Sequence, residues 1–241
     1  MKKLLIVIAT VWLVLGLNYG ASAWVYVANY GDTGWQTYSY TAGSGGFTGT
    51  AGFVVSNAFD TGAYSELLLD NLSQGGGGTN QGFEVGNLTG YTLITDSTGT
   101  SFANVSDVVT AYSYTAYTAT AGSFFADLQG LSTGVATSQF ANASGEAGTV
   151  GSILETAITL AAGSTFSFDW AFLANDMSPW NDFARFYLKD QNGVMVFSVG
   201  LAQIGSAPAV PIPASVLLLG TGLLGLLGLA RKGKRQWGRG L

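Results

Sequence analysis

An uncharged apolar stretch near the C-terminus constrains this chain more than any other feature. It runs from Ala214 to Ala230, and its 17 residues reach roughly 25 Å at about 1.5 Å per helical residue, the short end of what spans a bilayer. Pro211 and Pro213 favour a helix that begins just after them. The pattern therefore predicts a transmembrane helix over residues 214–230.

A basic tail, residues 231–241, follows this helix. Its first cluster of positive charges consists of Arg231, Lys232, Lys234 and Arg235. Such clusters stay on the cytoplasmic side of a membrane. The tail is therefore predicted to lie inside the cell, and the chain before Pro213 outside the cytoplasm.

The order of proline motif, apolar helix and basic cluster resembles the PEP-CTERM sorting signal of Gram-negative bacteria. The motif consists of Val210, Pro211, Ile212 and Pro213, and Ile212 stands where that family usually has Glu. The resemblance implies that an exosortase, a membrane-embedded cysteine protease or transpeptidase, recognises residues 207–241. It also implies removal of the tail, followed by release or attachment at the cell surface. A plain single-pass anchor is the alternative.

The N-terminus has the pattern of a secretory signal peptide. Lys2 and Lys3 precede an apolar run, and Ala21 and Ala23 form a small-x-small cleavage site. We therefore predict a signal peptide over residues 1–23, export by the Sec route, and Trp24 as the first mature residue. An uncleaved N-terminal anchor is the alternative.

The region between the two terminal signals is strongly acidic. It contains all 14 acidic residues and only two basic ones, Arg185 and Lys189, which gives a net charge of −12. Such a surface repels nucleic acid and anionic lipid. The charge therefore predicts that the protein does not bind nucleic acid.

The absence of cysteine and histidine narrows the chemistry further. The sequence contains neither residue, so disulfides, thiol nucleophiles, Ser-His-Asp catalysis and the usual zinc sites are all excluded. Carboxylate chemistry and oxygen-ligand metal binding remain.

Alternating aromatic residues provide the clearest sign of fold class. They are Phe166, Phe168, Trp170 and Phe172. On a strand all four side chains point to the same side, which predicts a central core strand. The simplest prediction for Ala161–Ser164 is a hairpin turn between this strand and Ile153–Leu160. Glu66–Asp70 is the one helix-like run, and it is short.

The expected fold is an all-β ectodomain, an antiparallel β-sandwich, flanked by the signal peptide and the transmembrane helix. Residues 81–206 are assigned to the sandwich. Residues 24–80 are rich in Gly, Ser and Thr and end near a four-glycine run, Gly75–Gly78. They are either part of the sandwich or a separate flexible piece.

Two segments of the ectodomain resemble known exported modules. Gly82–Tyr91 resembles the opening of extracellular jelly-roll modules, with Tyr91 in the usual Trp place. Asn181–Ala184, after the aromatic strand, resembles exported bacterial β-sandwich proteins with exosortase tags. The first resemblance implies a jelly-roll-like sandwich with Glu84 near a structural calcium ion. An exposed strand-edge Glu84 is the alternative.

The loop after the aromatic strand carries oxygen donors of the kind that calcium prefers. They are Asn175, Asp176, Asn181 and Asp182. We predict calcium ligands at Asp176, Asn181 and Asp182, with Glu84 by resemblance, and no other cofactor. Turn-capping Asx residues are the alternative.

Three functions fit these features. The favoured one is a non-catalytic surface or extracellular-matrix protein, with an exosortase, the cytoplasmic membrane before processing, and exopolysaccharide as partners. The second is a carbohydrate-binding module that uses Tyr112, Tyr114, Tyr117 and Trp180. The third is a glycoside hydrolase with two carboxylates about 5 to 10 Å apart, drawn from Glu84, Glu155, Asp169, Asp176 and Asp182.

Overall fold

The computed structural model describes residues 24–74 and 82–207, and this part of the chain is all-β. It contains fourteen strands and no helix, which confirms the predicted fold class. The signal peptide, the glycine run, the sorting motif, the predicted transmembrane helix and the basic tail lie outside the described residues. Within the described ranges, no helix is long and apolar enough to cross a membrane.

The strands fall along the whole described chain. In order they are β1 (Val25–Val27), β2 (Gln36–Thr41), β3 (Phe47–Ala58), β4 (Glu66–Gln74), β5 (Thr92–Leu93), β6 (Phe102–Ser106), β7 (Val108–Thr110), β8 (Ala116–Thr118), β9 (Phe125–Gln129), β10 (Val135–Ala136), β11 (Gly148–Leu160), β12 (Thr165–Leu173), β13 (Phe183–Asp190) and β14 (Met195–Ile204).

The strands form three sheets. Sheet A has seven strands in the order β1-β14-β13-β3-β11-β10, with β5 also paired to β11, and sheet B has five in the order β2-β12-β4-β9-β6. The hairpin β7–β8 forms the third sheet. The described strands pair antiparallel, as predicted, except β1 and β14, which pair parallel at one edge of sheet A.

Residues before the glycine run supply interior strands of both larger sheets. Strand β3 lies between β13 and β11 in sheet A, and β4 lies between β12 and β9 in sheet B. Residues 24–74 and 82–206 belong to one compact unit. Both parts of the described chain therefore contribute to the same sheets.

Aromatic side chains from the two larger sheets meet in one main core. On β12 the predicted alternation is confirmed, because Phe166, Phe168, Trp170 and Phe172 are all buried. The Phe168 ring centroid lies 4.9 Å from that of Phe53 on β3 and 5.0 Å from that of Phe186 on β13. Each such ring contributes roughly 1.5 to 3 kcal/mol by leaving water, so these contacts hold sheet A against sheet B.

Two local predictions were wrong. The helix-like run Glu66–Asp70 lies in strand β4, because Leu67 and Leu69 face the main core while Leu68 packs into a second cluster on the opposite face. A strand buried on both faces has a continuous apolar run rather than an alternating one.

The second wrong prediction concerns the connection Ala161–Ser164. It does not close a hairpin, because β11 pairs in sheet A while β12 pairs with β2 and β4 in sheet B. Both flanking apolar side chains, Leu160 and Phe166, nevertheless belong to the main core. The chain therefore changes sheets at this connection.

Candidate metal centre

Three aspartates converge where the loop after β3 meets the loop between β12 and β13. Asp60, Asp176 and Asp182 each place a carboxylate oxygen within 4.8 Å of the other two. We call this group the acidic cluster. Asp60 belongs to the β3–β4 loop, whereas Asp176 and Asp182 belong to the β12–β13 loop. The cluster therefore brings these two loops together.

Asp182 is the most deeply buried member, with no exposed surface. It accepts hydrogen bonds from the backbone N–H groups of Ala58 (3.3 Å) and Ser65 (3.2 Å) and from the Ser65 hydroxyl (2.9 Å). Burial, together with the smaller effect of the charges of Asp176 and Asp60, raises its pKa to about 8, although the hydrogen bond from Ser65 opposes this rise. Without a cation, this carboxyl group therefore favours its protonated form at neutral pH.

Asp176 is 5% exposed. Its Oδ1 accepts the backbone N–H of Met177 at 2.7 Å, while its Oδ2 is buried without a hydrogen-bond partner among the described residues. Burial raises its pKa, and the charge of Asp60 adds to the effect. Oδ1 of Asp60 is likewise buried and unpartnered within the described chain. The cluster thus holds two buried acceptor oxygens that protein donors leave unsatisfied.

These residues fit a hard divalent cation. Calcium takes carboxylate oxygens at about 2.3–2.6 Å, so opposite ligands lie about 5 Å apart, which accommodates the 4.8 Å limit on the oxygen separations. Three negative charges in a buried site also require a compensating charge or protons. Asp60, Asp176 and Asp182 would hold the ion, and the unpartnered oxygens of Asp60 and Asp176 are suited to it.

The sequence identified two of the three members. Asp176 and Asp182 were predicted and are brought together, whereas Asp60 was missed. The acidic cluster is defined by carboxylates, and the predicted amide ligand Asn181 has its own contacts. Its Nδ2 donates to the Glu146 carboxylate at 3.2 Å, and its Oδ1 is buried without a partner among the described residues.

Glu84 lies outside the acidic cluster. Its carboxylate accepts the backbone N–H groups of Ser123 (2.8 Å) and Phe124 (3.2 Å). Gly122 leaves room for this contact, because a Cβ atom at that position would lie 2.2 Å from the Glu84 carboxyl carbon. In the structure Glu84 therefore caps the loop before β9.

The other carboxylates proposed for hydrolysis lie in separate environments. Glu155 forms an ion pair with Lys189 at 2.7 Å. Asp169 accepts hydrogen bonds from Thr37 at 2.6 Å and Thr120 at 2.7 Å. Of the five candidates, Asp176 and Asp182 belong to the acidic cluster, and both are buried.

The aromatic residues suggested for sugar binding differ in their accessibility. Tyr112 is 63% exposed and Tyr114 is 91% exposed, while Trp180 is partly buried. Including Tyr117 was wrong, because its ring is buried and its hydroxyl donates to Asp32 at 2.6 Å. Tyr117 instead packs the hairpin β7–β8 onto the outer face of sheet B, together with Leu68 and Phe125.

Comparison with known proteins found no relative of this chain. No family model matches the chain, and no similar curated protein or solved structure was found. The function of the chain therefore has to be inferred from its residues and their geometry.

Proposed function

We propose that the chain is an exported, non-catalytic structural protein of the cell surface or exopolysaccharide matrix, with a β-sandwich stabilised by calcium. The acidic cluster carries this proposal. Asp176 and Asp182 are buried, and the cluster brings together residues of two loops, the β3–β4 loop and the β12–β13 loop. A cation held there would act as a structural link between the loops.

The chemistry of the chain supports a metal link in an exported protein. The sequence has no cysteine, so no disulfide can restrain the loops as it does in many secreted domains. Extracellular calcium modules bind the ion with dissociation constants of about 10⁻⁴–10⁻³ M, so such sites fill where calcium is plentiful. A calcium site is therefore consistent with export of the protein from the cytoplasm.

The sheet arrangement supports a jelly-roll-like sandwich. Sheets of seven and five strands share the main core, as the two sheets of a sandwich do. The crossing from β11 to β12 takes the chain from one sheet to the other, which is also a feature of jelly rolls. We therefore assign the ectodomain to this architecture as part of the proposal.

The terminal sequences support sorting by an exosortase. The predicted signal peptide over residues 1–23 would direct Sec export, and the predicted helix over residues 214–230 would hold the chain in the cytoplasmic membrane with its tail inside. An exosortase then acts at the motif Val210–Pro213. The processed protein passes to the cell surface or the extracellular matrix.

Mass spectrometry of the mature protein tests this route. In cells with an active exosortase, we expect a mature chain that begins at Trp24 and lacks the basic tail of residues 231–241. In an otherwise identical strain without the exosortase, the tail should remain and the protein should stay in the membrane fraction. An intact tail on the protein from both strains would contradict exosortase processing and leave a plain membrane anchor.

A further inference from the structure

A groove of about 420 Å³ lies beside the acidic cluster. It is lined by Gly62, Ala63, Tyr64, Thr110, Tyr112 and Asn175. Two of its walls belong to the loops that carry the cluster, because Gly62–Tyr64 follow Asp60 and Asn175 precedes Asp176. The third wall comes from the hairpin β7–β8 and its turn. The volume lies in the range of small-ligand sites, about 300–1,000 Å³.

The groove presents an aromatic ring that is both exposed and supported. Tyr112 is 63% exposed, and its ring centroid lies 4.7 Å from that of Tyr30. This contact restrains the Tyr112 ring before a ligand arrives, which reduces the ordering entropy that binding would require. A large exposed apolar ring at the edge of a groove is suited to cover an apolar face of a ligand.

The polar groups around the groove suit hydroxyl ligands. Thr110 and Asn175 supply a hydroxyl and an amide, and Asn175 forms a side-chain hydrogen bond with Glu66. Burial raises the pKa of Glu66 to about 8, and the charge of Asp127 adds to the effect, so Glu66 favours its neutral form at pH 7. Amide and hydroxyl groups can both donate to and accept from sugar hydroxyls.

The charge of the groove and of the exported region favours an uncharged ligand. None of the six groove residues is basic, and the exported region carries a net charge of −12. Long-range repulsion therefore disfavours anionic polymers. A neutral polyol with apolar C–H faces fits the ring, the amide and the charge together.

We propose that this groove binds a neutral saccharide, with a sugar ring stacked on Tyr112 and a sugar hydroxyl hydrogen-bonded to Asn175. The inference rests on the proposed function, because the loops that the cation would link also form two of the groove walls. It adds a ligand class to a protein otherwise proposed only as structural.

The test is a binding titration of the full-length chain, purified in detergent with millimolar calcium chloride. The probes are hexasaccharides of glucose, mannose, galactose and xylose, with an alginate hexasaccharide as the anionic comparison. We expect at least one neutral probe to bind, and Tyr112→Ala to weaken that binding by about tenfold or more, as loss of a stacked ring should. Tyr112→Trp should restore it.

Tyr114→Ala is the matched control. Tyr114 lies in the same β7–β8 turn and is 91% exposed, but it does not line the groove, so its loss should leave the affinity unchanged. The inference is overturned if no neutral probe binds, if Tyr112→Ala binds as tightly as the wild type, or if alginate binds best.

A parallel thermal melt with and without calcium separates the two proposals. Calcium stabilisation without saccharide binding would overturn the saccharide inference alone. Tyr112-dependent saccharide binding without calcium stabilisation would support the saccharide site and contradict the proposed metal link.

Discussion

Calcium is expected to raise the melting temperature of the full-length protein by roughly 5 to 10 °C at pH 8, and by much less at pH 5. At about one hundred times its dissociation constant, a ligand that binds only the folded state adds about 2.7 kcal/mol. For a domain of this size, each kcal/mol corresponds to about 2–4 °C. Differential scanning fluorimetry at both pH values, with calcium or with a chelator, measures the effect.

The pH dependence follows from the carboxyl groups of the acidic cluster. Folding raises the pKa of Asp182 from 3.8 to about 8 and also raises that of Asp176. Between these pKa values the metal-free folded state binds more protons than the unfolded state, so its stability falls as the pH rises. The loss begins near pH 4 and is complete above about pH 8. Calcium requires ionised carboxylates and competes with these protons, so its benefit is largest where the metal-free protein is weakest.

Single substitutions identify the carboxylates that hold calcium. Asp176→Asn and Asp60→Asn should abolish the calcium-dependent shift and should stabilise the metal-free protein at pH 8, because each removes one like charge from the cluster. Glu84→Gln is the matched control, since Glu84 lies outside the cluster, and it should keep the full shift. An equal calcium response in Asp176→Asn and the wild type would rule out this site.

The β12 aromatic alternation could be predicted from the sequence because one face of that strand is buried throughout. The same search for alternating apolar residues did not identify β4 as a strand, because Leu67 and Leu68 are both buried, on opposite faces. The periodicity of apolar residues along a strand indicates whether one or both of its faces are buried. This periodicity does not indicate which strands pair with one another. The sheet change between β11 and β12 could therefore not be distinguished from a hairpin.

The candidate site was predictable only within one loop. Asp176 and Asp182 lie close together in the sequence, so their shared loop suggested a common site. Asp60 follows β3, and its place beside them depends on the pairing of β3 with β13, which no local pattern specifies. Tyr64 was likewise not identified as a groove residue, because the packing of the hairpin β7–β8 on sheet B defines that groove.

Phe168→Ala is expected to destabilise the protein by about 3 to 5 kcal/mol. Phe168 is fully buried, and its ring centroid lies within 6 Å of those of Phe53, Phe186 and Tyr38. Truncation would leave a cavity between sheet A and sheet B that neither sheet can fill without moving its partner strands. Urea unfolding of the metal-free protein, followed by tryptophan fluorescence, measures the fall in the midpoint.

Phe59→Ala separates this packing effect from the simple loss of a ring. Phe59 is 60% exposed, so its substitution should change the free energy of unfolding by less than about 0.5 kcal/mol. Both variants lose the same atoms, so the difference between them measures what burial at Phe168 contributes. If Phe168→Ala were no more destabilising than Phe59→Ala, the contacts of Phe168 with Phe53 and Phe186 could not hold the two sheets together, and the shared core that supports the sandwich assignment would be lost.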